Sequence, residues 1–205
     1  ELSGLHFHIG SQITESEPWM LLCETVNRLL DEYRAKGITF HTINVGGGLG
    51  IDYADPERHP IPDFETYFNT FHNHLHLGAD QELHFELGRS IVAQCGSLIT
   101  RVLFVKEGTT KRFAIVDAGM TDLIRPALYN AHHKIENISN PSGQSMRYDV
   151  VGPICESSDI FGEDEMLPEV HRGDLLALRS AGAYGEVMAS NYNCRPLPGS
   201  VFSID

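Results

Sequence analysis

The 205-residue sequence is poor in lysine: Lys36, Lys106, Lys111 and Lys134 are its whole complement, and Trp19 is its one tryptophan. No stretch of about eighteen consecutive apolar residues exists, so no hydrophobic helix is expected to cross a membrane. Basic residues are outnumbered, 15 against 28 acidic, for a formal net charge of −13. That excess repels a phosphate backbone, so nucleic acid is not an expected partner, and neither is a membrane. Cys23, Cys95, Cys155 and Cys194 lie far apart and form no CxxC pair. This excludes a disulfide scaffold and zinc-type spacing, and a reduced, cytosolic setting is expected. The opening ELSGLHFHIG lacks the basic and long apolar regions of a signal peptide. It reads as the middle of a structured strand, so the chain is expected to begin inside a larger protein. No repeat or low-complexity segment is visible.

What is present is the material of a cored, soluble fold, with 41% hydrophobic and 21% charged residues. Residues 1–92 alternate two patterns. Short apolar runs end in glycine: LSGLHFHIG, FHTINVGGGLG and QELHFELGR. Between them, Pro18 to Lys36 carries Trp19, Leu22, Val26, Leu29, Leu30 and Tyr33 at helical spacing before the stop at Gly37, and Asp63 to Leu77 repeats the theme. This is the grammar of a parallel βα sheet or barrel. Residues 93–205 change grammar. Two β runs flank a turn at Glu107–Thr110, VVGPIC, DLLALRSAG and GEVMA follow as further runs, and only Leu123 to His133 looks helical. The expected fold is α/β followed by all-β.

The chemistry-bearing residues of the first part fall just past the apolar runs, the catalytic face of a βα barrel. His8 and Ser11 follow the first run, Gly46, Gly47 and Gly48 the second, Glu86, Gly88 and Arg89 the third. Consecutive glycines let backbone amides approach a phosphate, and Ser11 and Arg89 add a donor and a charge. Glu86 suits a protonated ring nitrogen and His8 can stack on that ring. Pyridoxal phosphate fits such a set. Each element has a plainer reading: a tight turn, a surface Glu–Arg pair at i, i+3, a barrel histidine. In the second part Arg125 and Tyr129 share one face at i, i+4 and suit a carboxylate, or serve as a capping arginine and a half-buried tyrosine. Cys155 and Glu156 offer a thiol proton donor beside an acid, or a buried thiol beside a surface charge. Tyr184 is flanked by Gly182 and Gly185. His72, His74 and His76 admit a metal reading, His72 and His76 standing i, i+4 on the second helix, against that of a solvated helix face.

The stretches GLHFHIGSQI, INVGGGLGIDY, ELGRS, VDAGMTDLIRPALY, GPICESSD and GAYGEVMASNYNCRP, in this order, resemble the diaminopimelate decarboxylase family of fold-type III, alanine-racemase-like pyridoxal-phosphate enzymes. The resemblance runs from residue 4 to residue 196. It implies a C-terminal portion of a cofactor-binding TIM (β/α)8 barrel in 1–92 and a C-terminal β-sandwich or β-barrel domain in 93–205. It implies that His8 stacks on the cofactor ring, that Ser11 and Gly46–Gly48 bind its phosphate, that Glu86 partners the ring nitrogen, and that Gly88, Arg89 and Tyr184 also line the cofactor. Arg89, Arg125, Tyr129 and Tyr184 are similar to residues that bind the substrate. Cys155 resembles the proton donor, and Glu156 a carboxylate that reaches the substrate from the other subunit of a homodimer. The reaction implied is decarboxylation of meso-2,6-diaminopimelate to L-lysine in the cytoplasm. Related ornithine, arginine or carboxynorspermidine decarboxylases and a non-catalytic regulatory homologue are the alternatives. Leu87 departs from the family, which usually has proline there.

None of the four lysines matches the family's cofactor-bearing lysine by motif. A complete barrel takes about 250 residues, whereas three strand–helix units precede the β part here. The chain is therefore expected to carry about three-eighths of the barrel, to lack the lysine, and to be inactive and unstable alone, with open sheet edges.

Overall fold

The computed structural model describes residues 2–203, and the chain divides into two compact units. Of the described residues, the first comprises 2–52 and 59–91, the second 53–58 and 92–203.

In the first unit three short strands, β1 (Gly4–His6), β2 (Thr42–Asn44) and β3 (Glu82–His84), form a parallel sheet in that order. The register sets His6 opposite Asn44, and Asn44 opposite His84. Two helices connect them, α1 (Glu17–Arg34) and α2 (Phe64–His74). Pro18 lies in the first turn of α1, where its missing N–H costs nothing. After α1, Gly37 at φ +74° closes the chain back with its amide on the Arg34 carbonyl at 3.0 Å. Asp63 caps α2, accepting from the Thr66 amide at 2.9 Å, a bond that holds its carboxyl below the usual range. Strand alternation assigns the two sheet faces opposite tasks. Leu5, Ile43 and Leu83 join Trp19, Leu22 and Val26 of α1 and Tyr67 and Phe71 of α2 in one core. The Trp19 ring meets that of Tyr67 edge-on, with centroids 5.1 Å apart. His6, Asn44 and His84 occupy the opposite face.

Helix α2 is shorter than its pattern. Leu75 is already extended, so His76 lies outside the helix and the i, i+4 pair with His72 does not form. Among the described residues no group of three His, Cys, Asp or Glu side chains could hold a metal ion, and no helix is long and apolar enough to cross a membrane.

A one-turn helix, α3 (Arg89–Val92), precedes the strands of the second unit. These are β4 (Leu98–Glu107), β5 (Arg112–Val116), β6 (Ile135–Asn137), β7 (Ser145–Val151), β8 (Ile160–Pro168) and β9 (Leu175–Leu178), in one mixed sheet ordered β6-β9-β4-β5-β7-β8. All pairings are antiparallel except β5 with β7. The end strands β6 and β8 also approach one another, so the sheet curls toward a barrel and is not a two-sheet sandwich. Its core is Val102, Val116, Leu123, Tyr148, Val150, Phe161, Leu167, Leu176 and Leu178.

Two expectations for this unit change. The helix α4 (Arg125–Tyr129) is one turn, because Asn130 takes the left-handed conformation at φ 52° and ends it. GEVMA is not a strand: Glu186–Met188 coils into a 3-10 turn after Tyr184, itself at φ 70°. The strands β6 and β8 escape a periodicity reading. β6 has three residues, and β8 breaks its alternation at the exposed Glu163 and Asp164, where φ is 58°.

Candidate active site

The first unit gathers its polar groups past the ends of β1, β2 and β3. Gly46 sits at φ +74° and Gly48 at φ +120°, where a side chain is strained, and a Cβ at Gly46 would collide with the Phe7 carbonyl. The loop is stitched on its carbonyl side: Gly46 O accepts from Glu86 N at 2.8 Å and Gly48 O from Ile13 N at 2.9 Å. The Gly46 amide is taken by Asn44 Oδ1 at 2.8 Å. Among the described residues no acceptor meets the amides of Gly47 and Gly48, so the loop offers donors. Beside it, Arg89 Nη2 donates to Ser11 Oγ at 2.9 Å. That bond uses a lone pair of Ser11 and leaves its proton to give.

Glu86 is not half of an ion pair with Arg89. Its Oε1 accepts from Asn44 Nδ2 at 3.0 Å, and its Oε2 lies 3.2 Å from His6 Nε2. The physical reason is alternation: Glu86 continues the face of Glu82 and His84, which the register sets beside Asn44 and His6. Arg89, in the one-turn helix, turns to Ser11. The His8 ring is exposed, and its Nδ1 lies 3.2 Å from where a Gly46 Cβ would stand. Gly88 is exposed, with open space around it. His6 and Asn44 escaped the sequence reading. Their signal was positional, one polar residue per strand on the face opposite the apolar positions.

In the second unit Arg125 and Tyr129 do not share surroundings. Arg125 is 6% exposed, its Nη1 2.8 Å from His133 Nε2 and its guanidinium 4.8 Å over the Tyr53 ring, while Tyr129 is exposed. The two share a helix face at i, i+4, but the Arg125 chain runs inward to His133 and Tyr53, whereas Tyr129, the last helical residue before the left-handed Asn130, stays exposed. His133 Nδ1 faces the Arg179 carbonyl at 2.9 Å, so the tautomer protonated there satisfies both bonds. Tyr184 is 39% exposed.

Cys155 and Glu156 are both exposed on a loop anchored by a residue the sequence reading passed over. Asp159 is 3% exposed and accepts from the amides of Met120 and Ile154, each at 2.6 Å. Burial pushes its carboxyl above the usual range, against the pull of those two bonds. Asp159 thereby ties the Cys155 loop to the segment leading into α4. None of the four cysteines forms a disulfide.

Two lysines are committed as cations. The bond to Asp149 at 2.7 Å raises Lys111. Burial works against the charge of Lys134, but Glu136 and Asp55 raise it. An amine that attacks a carbonyl must shed its proton, and these surroundings oppose that.

A family model described as pyridoxal-dependent decarboxylase, C-terminal sheet domain, matches residues 22–182. The chain belongs to this family of pyridoxal-dependent decarboxylases. It is 63% identical over 195 residues to the diaminopimelate decarboxylase of Bacteroides thetaiotaomicron, covering 95% of this chain and 50% of that one. It is similar to a crystal structure of a point mutant of diaminopimelate decarboxylase from Helicobacter pylori complexed with L-lysine, at 45% identity and a TM-score of 0.85, covering 95% of this chain and 48% of the other. The lysine/ornithine decarboxylase of Vibrio vulnificus complexed with cadaverine, at 24% identity, TM-score 0.75 and coverage of 93% and 51%, shares the fold. The chain spans about half the length of the curated relatives it matches.

Proposed function

We propose that these residues supply the C-terminal half of an enzyme that decarboxylates meso-2,6-diaminopimelate to L-lysine with pyridoxal phosphate. In this reading residues 1–92 are part of a TIM (β/α)8 barrel, residues 93–205 are the C-terminal β domain, and the enzyme is a cytoplasmic homodimer. One observation carries it: a carboxylate braced by His6 and Asn44 stands beside a glycine loop with two unused amides and an Arg89–Ser11 pair. The names of the similar proteins supply the substrate.

The residues fit the cofactor. The Gly47 and Gly48 amides, the Ser11 hydroxyl and Arg89 would hold its phosphate, a cradle that a side chain at Gly46 or Gly48 would distort. Arg89 has two assigned roles, and its bond to Ser11 favours the phosphate side. Glu86 would keep the ring nitrogen protonated, its own two oxygens met by Asn44 and His6. His8 would lie on the ring, and Gly88 and Tyr184 beside it. When bound, the cofactor accepts the electron pair released as CO₂ leaves. Cys155 would deliver the proton that replaces CO₂, and Glu156 would meet the substrate's ammonium from the partner subunit. Arg125 would pair with the distal carboxylate, with Tyr184 assisting; the outward position of Tyr129 does not favour the role the resemblance gives it. A carboxylate partner at that position distinguishes diaminopimelate from ornithine and lysine.

None of the four lysines matches the family's cofactor-bearing lysine by motif, and Lys111 and Lys134 are paired with acids, so activity is expected of the longer polypeptide and not of the 205-residue chain. The test is release of CO₂ and L-lysine by the full-length enzyme loaded with cofactor. Glu86→Ala is expected to lower kcat by about 10²–10⁴-fold while the phosphate end still binds. A full-length enzyme that releases ornithine's CO₂ in preference, or none at all, refutes the reading.

A further inference from the structure

Adjacent residues of the 3-10 turn Tyr192–Cys194 grip adjacent residues of the Cys155 loop. The Tyr192 phenol donates to Glu156 Oε1. Asn193 Oδ1 accepts the Cys155 amide at 3.2 Å. Hydrophobic burial does not account for this turn. Tyr192 is 47% exposed, and Asn193 and Cys194 both hold left-handed backbone, φ 53° and 57°, a conformation disfavoured for a cysteine. Something must offset that strain, and the side chains of the turn bond to the two residues assigned to proton delivery and substrate binding.

We propose that Tyr192 and Asn193 are positioning residues, a two-point clamp in which Tyr192 aims the Glu156 carboxylate at the ammonium group of the substrate and Asn193 fixes the backbone of Cys155. This rests on the proposed function. Glu156 spends one oxygen on the phenol, and among the described residues its other oxygen has no partner. A carboxylate with one oxygen pinned and one open points in a single direction, which is what recognition of a primary ammonium requires. The phenol answers in kind: its bond to Glu156, and then the charge of Glu156, hold its proton and raise it above the ordinary tyrosine range.

The two arms separate kinetically. In the full-length enzyme loaded with cofactor, Tyr192→Phe is expected to raise KM for diaminopimelate roughly tenfold and to leave kcat within about twofold, the size of one hydrogen bond to a charged group. The double variant Tyr192→Phe with Glu156→Gln should be no worse than Glu156→Gln alone, because both remove the same aimed carboxylate. Asn193→Ala should act on kcat, through Cys155. A readout without turnover accompanies these. Ultraviolet titration of the tyrosines, differenced against Tyr192→Phe, should show the Tyr192 phenol ionising late, and earlier in Glu156→Gln. An active enzyme whose KM ignores Tyr192→Phe overturns the clamp, as does a Tyr192 titration that ignores Glu156→Gln. An enzyme that does not decarboxylate diaminopimelate overturns the proposed function instead, and the titration still decides whether the phenol holds the carboxylate.

Discussion

Two carboxylates, Glu86 in the first unit and Asp159 in the second, are held in opposite ways. Glu86 stands on an open sheet face, more than half exposed, and its partners are the side chains of His6 and Asn44. Asp159 is buried, and its partners are the backbone amides of Met120 and Ile154. Side-chain partners on an open face leave a carboxylate able to meet a ligand. Backbone partners in the interior commit it to architecture. The first unit therefore presents its candidate site residues from the strands of a sheet, whereas the second presents Cys155 and Glu156 on a loop that Asp159 helps to anchor.

The contrast can be broken at several points. Trp19→Ala removes the ring beneath Gly48 and the largest fully buried side chain of the first unit. It should cost about 3–5 kcal/mol, read as loss of helical circular dichroism with the sheet signal of the second unit retained. Equal loss of both would mean that the units do not melt separately. Asp159→Asn sets an amide NH₂ against one of two N–H donors and should cost about 1–3 kcal/mol in thermal unfolding. It should also loosen the Cys155 loop, seen as faster alkylation of that thiol.

The pH dependence sharpens this. Because the folded carboxyl of Asp159 lies above the unfolded value of 3.8, the folded state binds more protons between the two values. Its contribution to stability falls as pH rises through that window, and the gap between wild type and Asp159→Asn should narrow there. Asp149 carries the opposite sign. Burial raises its carboxyl, but Lys111 and the Asp164 amide outweigh this and hold it low. Its contribution is complete above the unfolded value and is lost as pH falls through the folded one. The smallest effect belongs to Glu86→Gln, the same chemical change as Asp159→Asn. On the open face it should alter stability by no more than about 0.5 kcal/mol, and a larger loss would show Glu86 to be architectural too.

Much of the fold was readable before the structure. The α1 pattern, Pro18 to Lys36, falls within two residues of Glu17–Arg34 at either end, because a buried stripe repeating at 3.6 residues is a local signal. The hairpin of β4 and β5 was likewise local. The strands β6 and β8 were not, since both lie at the ends of the curled sheet and owe their existence to partners far along the chain. The candidate site divides the same way. The motifs containing Gly46–Gly48, Glu86, Cys155 and Glu156 stand out in sequence; His6, Asn44, Asp159 and Tyr192 lie in the same motifs or the next, but nothing in the sequence marks what they bond to.

The sequence by itself carried the family resemblance in the order of its motifs, and it determined the acidic balance and the helices of the first unit, which are written in composition and in local spacing. The tertiary structure alone decided who holds whom: that Glu86 turns to His6 and Asn44, 80 and 42 positions away, and not to the nearby Arg89, and that Tyr192 reaches Glu156 across 36. Such bonds depend on strand register and loop closure, and a hydrogen bond between distant residues leaves no periodic trace in the chain that makes it.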